Sequence, residues 1–185
     1  DLSLHLYLGG GLAQLSVDGS GSSLHRRGYR PRMGLAPLKE NLAAGLIRLT
    51  GWDGRVPLAD PLCGSGTLLI EAVAMALGQA PGLDGPTGMP RGCLSDGTPL
   101  AAVVGSDADA AVISQARANA DAAGVGPRLS LQCSPCCDFE PPAGQGILVC
   151  NPPYGERIGA GDPEGLEQLY SDLGAMAKQR CSGWP

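Results

Sequence analysis

A short segment, Asn151-Pro-Pro-Tyr154, combines residue types that together suit the chemistry of an aromatic amine. Its two consecutive prolines stiffen the backbone. The carboxamide oxygen of Asn151 and the carbonyl oxygen of Pro152 can then accept hydrogen bonds from one –NH₂ group, and the ring of Tyr154 can stack on a planar base. Methyl transfer to an exocyclic amine needs such an arrangement, because two acceptors draw the nitrogen towards a tetrahedral shape. A rigid turn that binds nothing is the alternative interpretation.

A glycine-rich segment, Asp60-Pro-Leu-Cys-Gly-Ser-Gly-Thr67, lies between a predicted strand and a predicted helix. Gly64 and Gly66 permit backbone angles and a close approach that a side chain would prevent. The start of the helix adds free N–H groups, so the loop can bind a carboxylate or a phosphate. It is not the dinucleotide fingerprint, since Leu69 replaces the third glycine, and it is not a Walker A loop. A tight turn without a ligand is again the alternative.

An acidic residue, Asp107, follows the next predicted strand in the sequence Gly105-Ser-Asp107. A carboxylate at this position can accept hydrogen bonds from both hydroxyls of a ribose, which is why adenosine-containing cofactors favour it. Asp107 or Asp109 could also cap the following helix. The distance along the chain from the glycine-rich loop favours the ribose interpretation for Asp107.

The segments that must position these residues alternate between strands and helices. The predicted strands are 55–59, 100–105, 128–133 and 146–150, and the predicted helices begin at Pro37, Thr67, Ala108 and Glu164. In the first helix Leu38, Leu42, Leu46 and Leu49 form one apolar stripe. This order is typical of a parallel α/β sheet, in which ligands bind at the carboxyl ends of the strands.

Two further regions frame this sheet. Alternating leucines around Gly9-Gly10-Gly11 predict a β-hairpin within residues 1–17, followed by a Gly/Ser-rich connector. Residues 79–98 are rich in Gly and Pro without periodicity and are typical of a surface insertion.

Composition and charge limit the classes of function. No apolar stretch approaches the roughly 18–20 residues that span a bilayer, and no signal peptide is visible, so we expect a cytoplasmic protein without a membrane partner. The net charge of −5 is unusual for a nucleic-acid-binding protein. Four arginines nevertheless cluster as Arg26, Arg27, Arg30 and Arg32. This cluster could contact a phosphate backbone, or it could be a solvated loop.

Seven cysteines are present, an odd number, and we expect reduced thiols. Cys133, Cys136 and Cys137 form a CxxCC cluster, but a zinc site normally needs four ligands and both histidines are remote in sequence. We therefore expect no metal site.

Taken in order, these segments make the chain resemble class I S-adenosylmethionine-dependent methyltransferases. More narrowly, it resembles the THUMP-associated RNA guanine-N2 methyltransferases, including those that modify bacterial large-subunit ribosomal RNA. The resemblance covers nearly the whole chain apart from residues 79–98. The segments that carry it are Leu24-His-Arg-Arg-Gly-Tyr-Arg30, Ala36-Pro-Leu-Lys-Glu-Asn-Leu-Ala-Ala44, Asp60–Thr67, Gly105–Asp107, Asn151-Pro-Pro-Tyr-Gly-Glu-Arg157 and Tyr170-Ser-Asp-Leu-Gly174.

The resemblance implies a fold, a cofactor and a set of site residues. The fold would be a Rossmann-like parallel sheet with flanking helices, preceded by a β-hairpin, and the cofactor would be S-adenosylmethionine. The implied cofactor-binding residues are Pro37, Leu38, Asp60, Pro61, Cys63, Gly64, Ser65, Gly66, Thr67, Asp107, Asp138 and Asn151. The implied residues for gripping the target base are Asn151, Pro152, Pro153 and Tyr154, and RNA would be contacted by the arginine cluster.

The chain departs from the family pattern at three points. The family usually has an acidic residue near position 135 that contacts the adenine amine, whereas this chain has Pro135, and Asp138 is the nearest carboxylate. A THUMP module would precede residue 1, so that residues 1–23 would be its junction with a methyltransferase domain at 24–185. The family sheet has seven strands, and this chain ends after the fourth and its helix. We therefore interpret the sequence as a fragment with an uncovered edge strand.

The leading hypothesis is transfer of a methyl group to the N2 amine of a guanine in large-subunit ribosomal RNA. The transfer would be direct and in line, and it would depend mainly on positioning, without a metal or a covalent intermediate. The alternatives are an adenine-N6 DNA methyltransferase, a protein-glutamine methyltransferase, or a module that binds the cofactor or RNA without turnover. The sequence indicates no particular oligomeric state.

Overall fold

The computed structural model describes residues 3–18, 27–30, 38–79, 98–154 and 163–185. The predicted hairpin is present as two antiparallel strands, β1 (Ser3–Gly9) and β2 (Leu12–Asp18). Gly10 and Gly11 form the turn with φ of 57° and 78°, angles that favour glycine. Their register pairs Leu4 with Val17, Leu6 with Leu15 and Leu8 with Ala13, which places six apolar side chains on one exposed face.

The sheet that follows has four described strands, and all their pairings are parallel. They are β3 (Leu58–Asp60), β4 (Val103–Asp107), β5 (Ser130–Cys133) and β6 (Ile147–Leu148). The spatial order is β5-β4-β3-β6, so successive strands extend the sheet in one direction and the last strand returns to the other side of β3. The strand order therefore reverses beside β3, which is where open α/β sheets bind ligands.

Helices cover both faces of this sheet. The described helices are α1 (Glu40–Thr50), α2 (Thr67–Ala76), α3 (Ala110–Ala122) and α4 (Pro163–Arg180), with short 3₁₀ turns at Gly126–Arg128 and Cys136–Asp138. Because neighbouring strand residues point to opposite faces, Leu58 packs with α1, α2 and α3, whereas Ala59 packs with Phe139 and with Met176 of α4. The prediction of a parallel sheet with flanking helices is confirmed.

Only part of the predicted apolar stripe of α1 packs against the core, where Leu38 and Leu46 are partly buried. Ala43 and Ile47 are fully buried there, whereas Leu42 is 52% exposed and Leu49 is 85% exposed. Glu40 shares the buried face, at the spacing i, i+3, i+7. The helix is rotated from the predicted orientation because the small side chain of Ala43 permits close packing and the charge of Glu40 has a buried partner.

Strand boundaries also differ from those predicted. The first core strand begins at Leu58 rather than at residue 55, because the side chain of Asp53 accepts a hydrogen bond from the Arg55 N–H and folds this stretch into a turn. The next strand, β4, runs to Asp107, so Asp107 is its last residue. Within the described residues, no helix has both the length and the apolar character needed to cross a membrane.

Candidate active site

Three chain segments meet beyond the carboxyl ends of neighbouring strands: the glycine-rich loop after β3, the residues after β4, and Asn151–Tyr154 after β6. The glycine-rich loop is tied to β4, since the Cys63 N–H donates to the Ser106 carbonyl at 2.8 Å. The Ser106 hydroxyl returns a hydrogen bond of 3.2 Å to the Pro61 carbonyl. These contacts fix the loop relative to the strand that carries Asp107.

The two glycines of the loop, Gly64 and Gly66, have different surroundings. Both have positive φ, 54° and 83°, which side chains rarely adopt. A Cβ on Gly66 would lie 3.4 Å from Ala116 Cβ and from Ile70 Cδ1, so this glycine allows α2 to approach α3. A Cβ on Gly64 would meet no atom of the described residues within 4 Å. Gly64 therefore borders open space, where a bound ligand could lie directly against the backbone.

The carboxylate of Asp107 holds this loop from the side of β4. Its Oδ2 accepts a hydrogen bond of 3.2 Å from the Gly64 N–H, and its Oδ1 accepts one of 2.9 Å from the Asp109 N–H. The cap of α3 is Asp109 itself, whose Oδ1 accepts from the Ala111 N–H at 2.8 Å. Asp107 is therefore not needed as the helix cap, and its carboxylate remains partly exposed beside the loop.

A second carboxylate, Asp60, lies under the loop and is 1% exposed. Its Oδ1 accepts a hydrogen bond of 3.1 Å from the Leu62 N–H. Burial, with a smaller contribution from the charge of Asp107, raises the pKa of Asp60 to about 8. Burial also raises the pKa of the Cys63 thiol and brings that of Cys150 to about 12, with Asp60 adding to both. These thiols are therefore protonated near neutral pH, which does not suit a thiolate nucleophile or metal ligand.

Two residues that support the site were not identified from the sequence. Asn119 is buried in α3, and its Nδ2 donates to the Ser65 carbonyl at 3.0 Å. Glu71 is buried in α2 and accepts a hydrogen bond of 3.1 Å from the Tyr29 hydroxyl. Each is a polar residue on an otherwise apolar helix face, which is the signal that could have identified it.

The segment after β6 presents its side chains to solvent at the same edge of the sheet. Asn151 is exposed, and Tyr154 is 54% exposed. Pro152 and Pro153, which lie between these two residues, are half-buried and hold the middle of the segment against the protein. The Tyr170 hydroxyl of α4 donates a hydrogen bond of 3.1 Å to the Pro153 carbonyl. An aromatic ring and a carboxamide are thus held open for a planar ligand.

The predicted RNA-binding role needs correction for two of the four arginines. Arg27 Nη2 lies 3.2 Å from Glu71 Oε2, and Arg30 Nη1 lies 3.7 Å from Glu40 Oε1, with all four side chains largely buried. A guanidinium that is buried against an internal carboxylate is not placed to bind a phosphate backbone. Arg26 and Arg32 lie outside the described residues, as does Pro37.

The remaining predicted cofactor-binding residue, Asp138, and the cysteine cluster lie near the carboxyl end of β5. Asp138, the carboxylate nearest to Pro135, is exposed in the 3₁₀ turn that follows this strand, and its predicted contact with adenine stays a prediction. Cys133 and Cys137 are exposed and Cys136 is buried. Among the residues that the structure describes, no three His, Cys, Asp or Glu side chains come together as a metal-binding group.

The residues at this edge fit an adenosyl amino acid such as S-adenosylmethionine. The carboxylate of Asp107 is an acceptor suited to ribose hydroxyls. The open space at Gly64 admits a ligand close to the backbone, and the N-terminus of α2 suits a carboxylate. Acceptors for hydroxyls and donors for a carboxylate are therefore both present and close in space, since Asp107 contacts the loop at Gly64.

Comparison with known proteins identifies the family of the chain. The family described as RMKL-like, methyltransferase domain, matches residues 27–185. A Synechocystis sp. protein provisionally named an RNA methyltransferase is 41% identical over all of this chain and 52% of its own length. A ribosomal RNA large subunit methyltransferase K/L of Desulfotalea psychrophila is 38% identical over all of this chain and 28% of its own length. The chain thus spans about half or less of the length of these relatives.

Solved structures show the same fold. A Listeria monocytogenes protein named a predicted N6-adenine-specific DNA methylase superposes with a TM-score of 0.81 at 36% identity, over 97% of this chain and 51% of that one. SMU.472, a provisionally described methyltransferase in complex with S-adenosylhomocysteine, gives a TM-score of 0.79 at 30% identity, over 96% and 50% of the two chains. The family match and these identities show that the chain belongs to the RMKL-like methyltransferase domain family.

Proposed function

We propose that this chain carries the catalytic site of an S-adenosylmethionine-dependent RNA methyltransferase that modifies the N2 amine of a guanine in large-subunit ribosomal RNA. One observation carries the proposal: Asn151–Tyr154 follows β6, the strand that pairs with β3, while the glycine-rich loop follows β3 itself. A base-binding segment and a cofactor-binding loop therefore emerge side by side at the point where the strand order reverses. We assign the catalytic domain to residues 24–185 and the hairpin with its connector to a junction.

On the cofactor side, we assign one role to each group of residues. Asp107 accepts hydrogen bonds from the ribose, the loop Asp60–Thr67 holds the amino-acid part, and Leu38 with Pro37 helps to close the site. When bound, S-adenosylmethionine supplies a methyl group on a sulfonium, which is electrophilic enough to be transferred directly. The protein therefore acts mainly by positioning the two reactants.

On the base side, the target amine must be presented with its lone pair free of the ring. Asn151 Oδ1 and the Pro152 carbonyl accept hydrogen bonds from the two N–H groups, which favours a tetrahedral nitrogen. Tyr154 stacks on the base after it leaves the RNA stack, a contact worth about 1–3 kcal/mol in comparable sites. The amine nitrogen would form a bond to the methyl carbon as the carbon–sulfur bond breaks, S-adenosylhomocysteine would leave as a neutral thioether, and the proton lost from the nitrogen would pass to water.

Ribosomal RNA is preferred as substrate because the relative that covers all of this chain at 38% identity is a ribosomal RNA large subunit methyltransferase. A second candidate is methylation of adenine N6 in DNA. It is supported by the name of the Listeria monocytogenes structure and by the fact that Asn-Pro-Pro-Tyr suits either exocyclic amine.

The test is transfer of labelled methyl from S-adenosylmethionine to unmodified bacterial ribosomal RNA and, in parallel, to adenine-containing duplex DNA. Both this chain and a version extended at both ends should be assayed. We expect label in the RNA, recovered as N2-methylguanine. Label recovered only as N6-methyladenine in DNA would replace the first proposal by the second.

The matched control compares two exposed asparagines. Asn151→Ala should reduce transfer by at least a hundredfold, whereas Asn41→Ala on the outer side of α1 should leave it unchanged. Thermal stabilisation by S-adenosylhomocysteine without any transfer, in both lengths of protein, would instead support a module that binds and does not catalyse.

A further inference from the structure

Two neighbouring arginines, Arg27 and Arg30, both turn inward but have different partners. Arg27 pairs with Glu71, in the second turn of α2. Arg30 Nη1 lies 3.7 Å from Glu40 Oε1, at the start of α1, and donates a hydrogen bond of 3.1 Å to the Leu38 carbonyl. The segment 27–30 is thereby attached to both helices through buried charges.

Arg30 makes one more contact that Arg27 lacks. Its Nη2 donates to the hydroxyl of Thr67, the first residue of α2 and the last of the glycine-rich loop. One guanidinium therefore joins the chain before α1 to the point where the loop enters α2. Thr67 Oγ1 also lies 3.5 Å from Ser65 Oγ, so the contact extends into the loop.

This placement is hard to explain by stability alone. A cation beside the positive N-terminus of a helix is unfavourable, and a buried ion pair adds little net stability because of its desolvation. Arg30 is 7% exposed and its Nε has no hydrogen-bond partner within the described residues. These contacts hold the Leu38 carbonyl and the Thr67 hydroxyl at fixed relative positions, because a planar guanidinium donates to several acceptors at once.

We propose that Arg30 is a positioning residue for the cofactor site, which fixes the glycine-rich loop at Thr67 relative to the chain at Leu38. This inference rests on the proposed binding of an adenosyl amino acid at the loop. Glu40 neutralises the guanidinium, and the ring of Tyr29, with its centroid 5.8 Å from Arg30 Cζ, supports it from the neighbouring position. The segment 27–30 would thus affect cofactor binding through the contact of Arg30 with Thr67.

The test uses the full chain and measures binding of S-adenosylhomocysteine by calorimetry, together with the melting temperature without ligand. Arg30→Ala should weaken the affinity at least tenfold. Arg30→Lys should weaken it by an intermediate factor, because a lysine keeps the charge beside Glu40 but cannot hold Leu38 and Thr67 together. Arg27→Ala is the matched control: it breaks an equally buried pair and lowers the melting temperature, but the affinity should stay within twofold.

Three results would overturn the inference. Equal losses of affinity in the Arg27→Ala and Arg30→Ala proteins would indicate a general effect of stability. An unchanged affinity after Arg30→Ala would exclude positioning, and if that protein does not fold, an unchanged affinity after Arg30→Lys decides the same point. If the native chain does not bind S-adenosylhomocysteine, the proposed cofactor site is overturned together with the role of Arg30. This result differs from the first two, in which the native chain still binds.

Discussion

The hydroxyl of Tyr170 donates a hydrogen bond of 3.1 Å to the carbonyl oxygen of Pro153. Tyr170 belongs to α4, which packs against the opposite face of the sheet from α1, α2 and α3. The segment that we propose to bind the base therefore contacts a helix on the opposite face of the sheet from α2, the helix that follows the glycine-rich loop. Changes at Tyr170 and changes in the loop can thus be tested separately.

Replacing Tyr170 by Phe removes this hydrogen bond and keeps the ring. A hydrogen bond of this kind contributes about 1 kcal/mol, so we expect kcat to fall roughly fivefold while the affinity for S-adenosylhomocysteine is unchanged. Initial rates at saturating cofactor and a binding titration measure the two quantities. Tyr7→Phe, on the exposed hairpin, is the control. A change in cofactor affinity without a change in kcat would contradict this division of the site.

Asp107 and Asp109 form a natural pair for testing cofactor binding. Asp107→Ala removes the acceptor for the Gly64 N–H and for the ribose, so the affinity for S-adenosylhomocysteine should fall at least tenfold. Asp109→Ala removes only the cap of α3 and should lower the free energy of unfolding by about 1 kcal/mol. Its affinity should stay within twofold, and a larger loss there would argue against the specific role of Asp107.

Asp60 makes stability depend on pH. Its pKa rises from 3.8 in the unfolded chain to about 8 in the folded one, so the folded chain keeps a proton that the unfolded chain has lost. The free energy of unfolding should therefore fall as the pH rises between about 4 and about 8, by up to ~1.4 kcal/mol per pH unit. Below this window the stabilisation is fully present.

Asp60→Asn isolates this group, because an asparagine keeps an acceptor for the Leu62 N–H without the charge. We expect a shallower decline of the melting temperature from pH 5 to pH 8 than in the native chain. Parallel curves for the two proteins would mean that the carboxylate is ionised in the folded state.

Gly105 and Gly45 are predicted to respond in opposite directions to alanine. A Cβ on Gly105 would lie 2.5 Å from Leu69 Cδ1 and 3.0 Å from Cys63 Cβ, so Gly105→Ala should force α2 from the sheet and cost about 1–3 kcal/mol. Gly45 lies exposed in α1 with no atom within 4 Å of an added Cβ. Gly45→Ala should raise the free energy of unfolding by about 0.5–1 kcal/mol. Chemical denaturation measures both, and a neutral Gly105→Ala would show that the contact relaxes.

The location of the unusual residues at strand ends could be predicted because it is encoded locally. Glycines at 64 and 66, a carboxylate at 107 and two prolines after Asn151 limit what the backbone at each strand end can do. Strand and helix types followed from periodicity. Together they predicted a parallel sheet with its unusual residues at one edge, and the structure confirms the sheet.

Tertiary contacts decided the features that were predicted wrongly. Arg27 and Arg30 are charged residues in a Gly- and Arg-rich stretch, which locally indicates solvent, but Glu71 and Glu40 approach them from distant helices. The leucines of α1 suggested a buried stripe, but the fully buried apolar side chains of this helix are Ala43 and Ile47. The pattern of residues within one helix does not show where a neighbouring helix packs against it.

The return of β6 to the side of β3 has a consequence for the order in which the molecule assembles. Leu58 pairs with Val103 on one side and with Ile147, far later in the chain, on the other. Closing so long a loop is slow relative to local contacts, and during synthesis the earlier strands emerge first. The glycine-rich loop and Asp107 are thus synthesised before Asn151–Tyr154, and we expect these segments to come together only when β6 pairs with β3.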